Sequence, residues 1–446
     1  MSSLRKRSAS NSTESSKIVN TRSRTRSRRN SRRSSSHYTR RRSSHYIPKK
    51  TSEELYRNSL QSCMNKTTIL CRYFSESYDE ARAKFIHSCK YCNLDQTSLK
   101  IYCKYDNDLT INIGILKGNR QNILLHITGT HGVEAYAGSA IQNYIIGRIA
   151  MQNKFGSAYH GPTIIFVHCL NPYGMKYGRR FNEKNIDLNR NYCSNELFQQ
   201  LVTGQPSELY SEMNSWLNPI DYREDCEMSF IEKLQAFFYT LRFGTNGVKQ
   251  AVVGGQYHFP KGIFYGGKSL SQSHSILSNY LKTKLSDDIK RFAILDVHTG
   301  LGPKCIDTLL CNSREEFSQL NKVTNHYENI QVRDPDKSIT YRIHGNVIRG
   351  YSTLVPNHVK RLIAVQEFGT YKQTNVVMRV RSENSVYHYL KSRTNVSSLQ
   401  KKLLNRPCQL RDVFCIDERE WRDRVISRGV TLFNQFNNWC GGTFIL

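Results

Sequence analysis

The sequence lacks the apolar segments that place a chain in or across a membrane. None of its apolar runs approaches the roughly 18 residues that a transmembrane helix needs. No apolar segment follows the basic amino terminus in the way that a secretory signal requires. We therefore expect no transmembrane helix, no secretion and no membrane partner.

The cysteines do not form a disulfide framework. The chain has 13 of them, an odd number, and they are scattered, so complete pairing is impossible. Reduced thiols are typical of the cytosol and the nucleus. The cysteine pattern therefore favours a cytoplasmic location, with a nuclear location as the alternative.

Acidic residues are nearly absent from the first fifty positions. Residues 1–50 hold 16 Lys or Arg against the single acid Glu14, so this segment carries +15 of the formal net charge of +29. Its Arg- and Ser-rich composition offers too little apolar surface to offset the entropy of ordering a chain. We expect a disordered tail. One interpretation is a solvated, phosphorylatable segment; the alternative is a segment that contacts RNA or another polyanion through charge, without sequence specificity.

Four short apolar runs predict the framework of the folded part. NILLHIT, TIIFVHCL, FAILDVHT and RLIAVQEF are typical of strands buried on both faces of a largely parallel sheet. SAIQNYIIGRIAMQ and SFIEKLQAFFYTLRFG predict helices, the second ending at Gly244. We predict one α/β domain over residues 70–446, a mixed, mostly parallel sheet flanked by helices, after a linker of residues 51–69.

Candidate metal ligands and a candidate base lie where these strands end. His131 and Glu134 follow NILLHIT in an H-x-x-E spacing, and His298 ends FAILDVHT. Histidine and carboxylate are both good zinc ligands, and ligand sites in open α/β sheets lie at the carboxyl ends of strands. Glu367 closes RLIAVQEF, where a buried carboxylate needs a partner or a function.

A polar loop after TIIFVHCL concentrates groups that suit a carboxylate. The segment NPYGMKYGRRFNEKNIDLNRNY contains Arg179, Arg180, Asn189 and Arg190. Arginine binds a carboxylate through two parallel hydrogen bonds, and asparagine adds a directional donor. A solvated surface loop is the alternative interpretation for each arginine taken alone.

Together the motifs HGVEAYAGSA, NPYGMKYGRRFNEKNIDLNRN, DVHTGLG and EFGTY resemble the zinc carboxypeptidase (carboxypeptidase A-like) superfamily. They are most similar to a carboxypeptidase-like family within it that carries HGVExxAGSA, DLNRN, HTGLG and EFGT. The resemblance covers residues 70 to 440, approximately, and leaves out the basic tail. It implies the zinc carboxypeptidase-like fold and a metallopeptidase type of hydrolase.

The resemblance also implies the metal and the groups around it. One Zn²⁺ per chain would be bound by His131, Glu134 and His298. Glu367 would act as general base and acid, and Asp187 would hold the first ligand histidine in place.

The arginine-rich loop receives its roles from the same resemblance. Arg180 would polarise the carbonyl of the bond to be cleaved, with Arg179 as the fallback for that position. Asn189 and Arg190 would bind the free carboxylate of a small peptide or acyl-amino acid. For the tyrosine that digestive carboxypeptidases carry before the catalytic glutamate, the sequence offers Tyr341 and Tyr351 without choosing between them.

Three functions remain open on the sequence. The first is zinc-dependent hydrolysis of an amide bond next to a free carboxylate, as in a carboxypeptidase. The second is an N-acyl amino acid deacylase of the aspartoacylase type, which uses the same zinc geometry on small substrates. The third, from another class, is a polyanion- or RNA-binding protein that uses the fold as a scaffold.

Overall fold

The structure, a computed structural model, describes residues 71–154, 159–219, 228–311, 313–324, 331–333, 343–404 and 409–443. The predicted tail and linker lie outside these ranges, as does Tyr341. None of the helices within the ranges combines the length and the apolarity that crossing a membrane requires.

A single eight-stranded sheet runs through the described part of the chain, in the order β1-β2-β4-β3-β5-β8-β6-β7. Four neighbouring pairs are parallel (β3–β4, β3–β5, β5–β8 and β6–β7) and three are antiparallel. The predicted mixed, mostly parallel sheet is confirmed. The strands are β1 Asp95–Cys103, β2 Asp106–Leu116, β3 Asn119–Thr128, β4 Pro162–His168, β5 Arg291–Thr299, β6 Asp307–Leu310, β7 Gln331–Val332 and β8 Lys360–Phe368.

The four apolar runs form the adjacent parallel strands β4, β3, β5 and β8. In β5 every residue after the first is buried, which is why the run is continuously apolar rather than alternating. Because these strands are parallel and neighbouring, their carboxyl ends meet at one edge of the sheet. That edge receives the residues that follow each strand.

Helices pack on both faces of the sheet. Val297 of β5 points to the helix that contains Gly138. A Cβ atom added to Gly138 would lie 3.2 Å from the Cβ atom of Val297. The neighbouring Asp296 points to the opposite face, because successive side chains of a strand alternate. The helices are α1 Tyr78–Tyr91, α2 Ala135–Lys154, α3 Pro172–Lys176, α4 Asn195–Thr203, α5 Glu208–Leu217, α6 Phe230–Val253, α7 Gln272–Lys282, α8 Arg314–Thr324, α9 Val347–Ser352, α10 Gln373–Arg393, α11 Val396–Leu404, α12 Arg411–Phe414 and α13 Arg419–Trp439.

Helix α6 differs from its predicted extent. Gly244 does not end it but forms a kink, with φ 70° and ψ 159°, and helical structure continues to Val253. Glycine reaches positive φ without steric cost, so the residue that was expected to stop the helix instead lets it change direction. The longer helix places its carboxyl end beside Arg190.

Candidate metal centre

The turn after β3 brings the first two candidate ligands to the sheet edge. His131 lies three residues beyond the end of β3, and the 3₁₀ turn Gly132–Glu134 leads directly into α2. An added Cβ at Gly132 would lie 2.0 Å from the backbone of Gly174, so only glycine fits this close approach. The backbone N–H of Val133 donates to the carbonyl oxygen of Arg179 at 3.0 Å. The turn and the arginine-rich loop are therefore joined backbone to backbone.

The other two candidates are paired across the sheet. His298 in β5 and Glu367 in β8 are direct partners in the parallel register, each next to the last residue of its strand. Parallel pairing places the two side chains on the same face and at the same height. The distance from His298 Nδ1 to Glu367 Oε2 is 3.9 Å.

His131, Glu134 and His298 form one compact buried cluster. Glu134 Oε1 lies 2.8 Å from Nδ1 of His131, and its Oε2 lies 3.2 Å from Nδ1 of His298. The ligand atoms that the three residues offer all lie within 4.8 Å of one another. All three residues are at most 3% exposed. Residues separated by more than 160 positions in the sequence thus present two nitrogens and a carboxylate to one point.

An unpartnered nitrogen of His131 indicates that the cluster fits a metal ion. Its Nδ1 is buried and has no hydrogen-bond partner among the described residues, although a carboxylate oxygen lies 2.8 Å away. Buried polar atoms are normally satisfied, so this unpartnered nitrogen beside a carboxylate is a position that fits a cation. Two imidazole nitrogens and one carboxylate are a donor set typical of zinc.

Carboxylates hold both histidines from behind. His131 Nε2 lies 3.2 Å from Asp187 Oδ1, and His298 Nε2 lies 2.7 Å from Asp296 Oδ2. Such a partner fixes the orientation of the ring, and at His298 it keeps the proton on Nε2, which leaves Nδ1 as the ligand atom. Asp187 was named from the sequence, whereas Asp296 was missed. Its signal was the spacing D-x-H within a strand, which puts both side chains on one face.

Charges inside the cluster set the protonation states. Burial alone would raise the pKa of Asp187, but Arg180 and His131 lower it well below its ordinary value. Burial opposes a charge on His298, yet Asp296 and Glu134 outweigh it and raise the pKa of that histidine. Burial and the negative charge of Glu134 raise the pKa of Glu367 to about 7. The pKa of the predicted base is therefore raised, in contrast to that of Asp187.

Arg180 lies directly against the cluster. Its Nη1 is 3.0 Å from Glu134 Oε1, its Nε is 3.1 Å from Asp187 Oδ2, and its Nη2 is 2.7 Å from His131 Nε2. The side chain is 12% exposed, more than any of the three candidate ligands. A partly exposed guanidinium at this position can reach a group that enters the site from solvent.

The adjacent Arg179 has a different environment, and the structure does not bring it into the cluster. Its guanidinium is fully buried, donates from Nε to Glu383 Oε1 at 2.9 Å, and stacks on the ring of Tyr387 at 3.3 Å. Its Nη2 donates to Asn185 and Asn384 at 2.9 and 3.1 Å. These contacts tie the loop to α10 and leave the arginine no path toward the ligands. The fallback assignment of Arg179 thus finds no support in its placement.

Asn189 and Arg190 lie on the 3₁₀ turn that follows Asp187. Arg190 donates from Nε and Nη2 to the carbonyl of Val253, at 3.1 and 2.6 Å, and from Nη1 to the carbonyl of Asn189 at 2.8 Å. Among the described residues, these bonds leave one N–H on each of the two terminal nitrogens of Arg190 without a partner and thus open to a ligand. Burial lowers the pKa of Arg190, so a carboxylate here would gain a desolvated cation as its partner.

Tyr351 is not available as a catalytic tyrosine in this conformation. It is completely buried in α9, and its hydroxyl lies 3.0 Å from Nδ1 of His274. The Nε2 of the same histidine lies 2.9 Å from the carbonyl oxygen of Leu188. The contact therefore supports the turn that carries Asn189 and Arg190 from beneath.

Comparison with known families places this site in context. The model of the family described as "Protein of unknown function (DUF2817)" matches residues 74–428. The chain belongs to this family. The match includes every residue named in the cluster and in the arginine-rich loop. No curated protein matches the chain.

Two solved structures are distantly similar to this DUF2817 chain. Carboxypeptidase A from Helicoverpa armigera is 10% identical, with a TM-score of 0.42 and coverage of 79% of each chain. Thrombin activatable fibrinolysis inhibitor is 12% identical, with a TM-score of 0.39 and coverage of 86% of each chain. Likeness at this level shows nothing about activity.

Proposed function

We propose that the protein is a zinc-dependent hydrolase that cleaves an amide bond adjacent to a free carboxylate. The observation that carries the proposal is the convergence of His131, Glu134 and His298 within 4.8 Å, with Glu367 paired beside them in the sheet. A structural metal site has no need of a carboxylate with a raised pKa next to it. The combination is what an acid–base hydrolytic site requires.

The three ligands would hold one zinc ion per chain. Two neutral imidazoles and one carboxylate leave a bound Zn²⁺ with a net charge of +1, so it supplies Lewis acidity and lowers the pKa of water in the site. Asp187 and Asp296 orient the two imidazole rings so that both Nδ1 atoms lie beside Glu134, where they would bind the ion.

Glu367 moves the proton in the proposed reaction. Its Oε1 accepts the backbone N–H of Leu301 at 3.1 Å, which fixes the carboxylate while Oε2 faces His298. A carboxylate whose pKa is raised to about 7 can take a proton from water and return it to the leaving amine near neutral pH. Burial therefore gives this glutamate its chemical role.

The arginine-rich loop would bind the substrate. Arg180 is positioned beside Glu134 to stabilise negative charge that develops on the carbonyl oxygen. The two remaining N–H groups of Arg190 and the side-chain amide of Asn189 would bind the carboxylate of the substrate. The bond next to that carboxylate would then lie over the cluster.

The test combines metal analysis with a substrate panel. Purified full-length protein is analysed for zinc, then assayed on N-acyl amino acids and short peptides, each with a free and an amidated carboxyl terminus. We expect one zinc per chain and turnover restricted to free carboxylates. Turnover of peptides indicates a carboxypeptidase, and turnover of acyl-amino acids alone indicates a deacylase. Protein without zinc, or protein that cleaves both termini equally, contradicts the proposal.

A further inference from the structure

Helix α6 carries large apolar side chains into solvent. Phe230, Ile231, Phe237, Phe238 and Leu241 are 57–78% exposed and Leu234 is 43% exposed; we call these six residues the apolar ridge. The rings of Phe237 and Phe238 lie edge to face, 6.2 Å between centroids. Contiguous exposed apolar surface of this kind marks an interaction site in a folded protein.

The ridge faces away from the rest of the fold as the described residues form it. At about 100° per helical residue, its members fall within an arc of about 120°. The opposite side of the helix packs inward through Glu232, Ala236 and Tyr239, whose ring lies 6.0 Å from that of Trp216. Trp216 donates from Nε1 to the carbonyl of Glu232 at 3.0 Å, and the carboxylate of Glu232 pairs with Arg381. The helix is therefore anchored by one face while the ridge points outward.

Positive charge borders the ridge on both sides. Viewed down the helix axis, Lys233 lies about 40° beyond one edge of the ridge and Arg242 lies about 20° beyond the other edge. Both are exposed, and Arg242 also pairs with Glu212 at 2.6 Å. The single acidic residue of this helix, Glu232, is buried on the inward face. An apolar arc with cationic edges matches an interface that is apolar at depth and negatively charged at its surface.

We propose that α6 is a docking surface for anionic lipid bilayers. The apolar ridge would enter the boundary between headgroups and acyl chains, while Lys233 and Arg242 remain at the level of the phosphates. The net charge of +29 draws the whole chain toward such a surface. This is peripheral attachment by a helix lying in the interface, which revises the expectation of no membrane partner without requiring a spanning segment.

Charge and shape favour a bilayer over other occupants. Two copies of a chain with a net charge of +29 repel each other, and pairing of two ridges would bring like-charged edges together. The basic segment of residues 1–50 has the same sign as the edges of the ridge. The neighbouring positions Gln235 and Thr240 are exposed as well, so the helix stands out as a ridge rather than lining a groove for a peptide.

Vesicle binding of the full-length protein tests the proposal. Vesicles of phosphatidylcholine with and without phosphatidylserine are compared at an ionic strength of about 0.15 M, where a Debye length of about 8 Å weakens adsorption by charge alone. The double variant Phe237→Ser/Phe238→Ser should bind anionic vesicles roughly tenfold more weakly or worse. The matched control is Tyr91→Ser/Tyr102→Ser, which removes two aromatics that are 68% and 73% exposed elsewhere and should bind like wild type. Equal binding by the ridge variant and wild type overturns the proposal.

A single-residue probe separates insertion from adsorption through the basic segment. Phe238→Trp introduces an indole at the ridge, whereas the three native tryptophans are Trp216 and Trp421, which are buried, and Trp439, which is half-buried in α13. Lipids brominated along their acyl chains should quench the new fluorescence, and wild type should show little quenching. Absence of quenching in vesicle-bound protein contradicts insertion. Sedimentation without lipid completes the test, because a dimer that dissociates in the ridge variant would assign the surface to a second copy instead.

These measurements do not depend on the proposed hydrolysis. Zinc content and turnover on a small substrate are read from the same samples, and the ridge variants should leave both unchanged. Inactive protein that binds vesicles refutes the proposed function alone, and active protein that ignores vesicles refutes the docking surface alone.

Discussion

Replacing Glu367 by glutamine isolates the proton transfer from metal binding. The amide keeps the size of the side chain and can still accept the backbone N–H of Leu301, which lies 3.1 Å from Oε1 in the structure. Glu367 is not among the three residues whose ligand atoms converge, so the variant should retain its zinc. What it loses is the ability to accept and return a proton.

The expected loss of rate follows from the role of the carboxylate in proton transfer. General acid–base catalysis contributes a factor of about 10²–10⁴, equivalent to about 2.7–5.4 kcal/mol at 1.36 kcal/mol per tenfold change in rate. The assay is kcat/KM on the best substrate of the panel, together with zinc per chain. Glu420→Gln makes the same chemical change at an exposed position and serves as control.

The pH profile provides a second reading of the same variant. Burial and Glu134 raise the pKa of Glu367 to about 7 in the site without metal, and a zinc ion bound by Glu134 would lower it from there. In wild type, kcat/KM should therefore rise with pH as Glu367 loses its proton, with the midpoint of this limb at or below about pH 7. Glu367→Gln should abolish this limb. Loss of zinc in the variant, or a rate within threefold of wild type, refutes the assignment.

Four further outcomes are expected. Substitution His298→Ala removes one of three ligands and should strongly reduce zinc per chain by elemental analysis; full occupancy would place the metal elsewhere. Amidation of the substrate leaves Arg190 without its charged partner and should cost about 1.5–3 kcal/mol in kcat/KM, and Arg190→Gln should erase this preference for free carboxylates. Burial lowers the pKa of His126 and of His168 to about 3, so the unfolded state binds more protons between pH 6.5 and 3 and stability falls as the pH drops below about 6.5. At pH 5 each of these two histidines should lower the free energy of unfolding by about 2 kcal/mol relative to pH 7. Urea unfolding of wild type and of His168→Gln at both pH values measures this, and an equal pH dependence of the two proteins contradicts it. Deleting residues 1–50 should leave zinc content and turnover of a small neutral substrate within about twofold while removing most salt-sensitive binding to heparin or RNA, and loss of zinc would mean that the segment belongs to the domain.

The sequence by itself determined the parts of this protein that depend on short stretches of chain. Continuous apolar runs predicted β3, β4, β5 and β8, because a strand buried on both faces needs no polar positions. The same runs located His131, His298 and Glu367, since each follows or closes a strand. The H-x-x-E spacing of His131 and Glu134 is likewise local, and the strand and the turn after it bring the two side chains together.

The tertiary structure decided the features that depend on contacts between distant parts of the chain. Arg179 and Arg180 are neighbours in the chain, yet one is buried against α10 and the other lies at the cluster. No local pattern distinguishes them, because the difference arises from residues about 200 positions away. The pairing of His298 with Glu367 required the strand register. The stripe on α6 has the periodicity of a core-facing helix, and only its placement in the fold leaves those side chains exposed. Periodicity specifies that a helix has an apolar face, whereas the rest of the fold decides whether anything covers it.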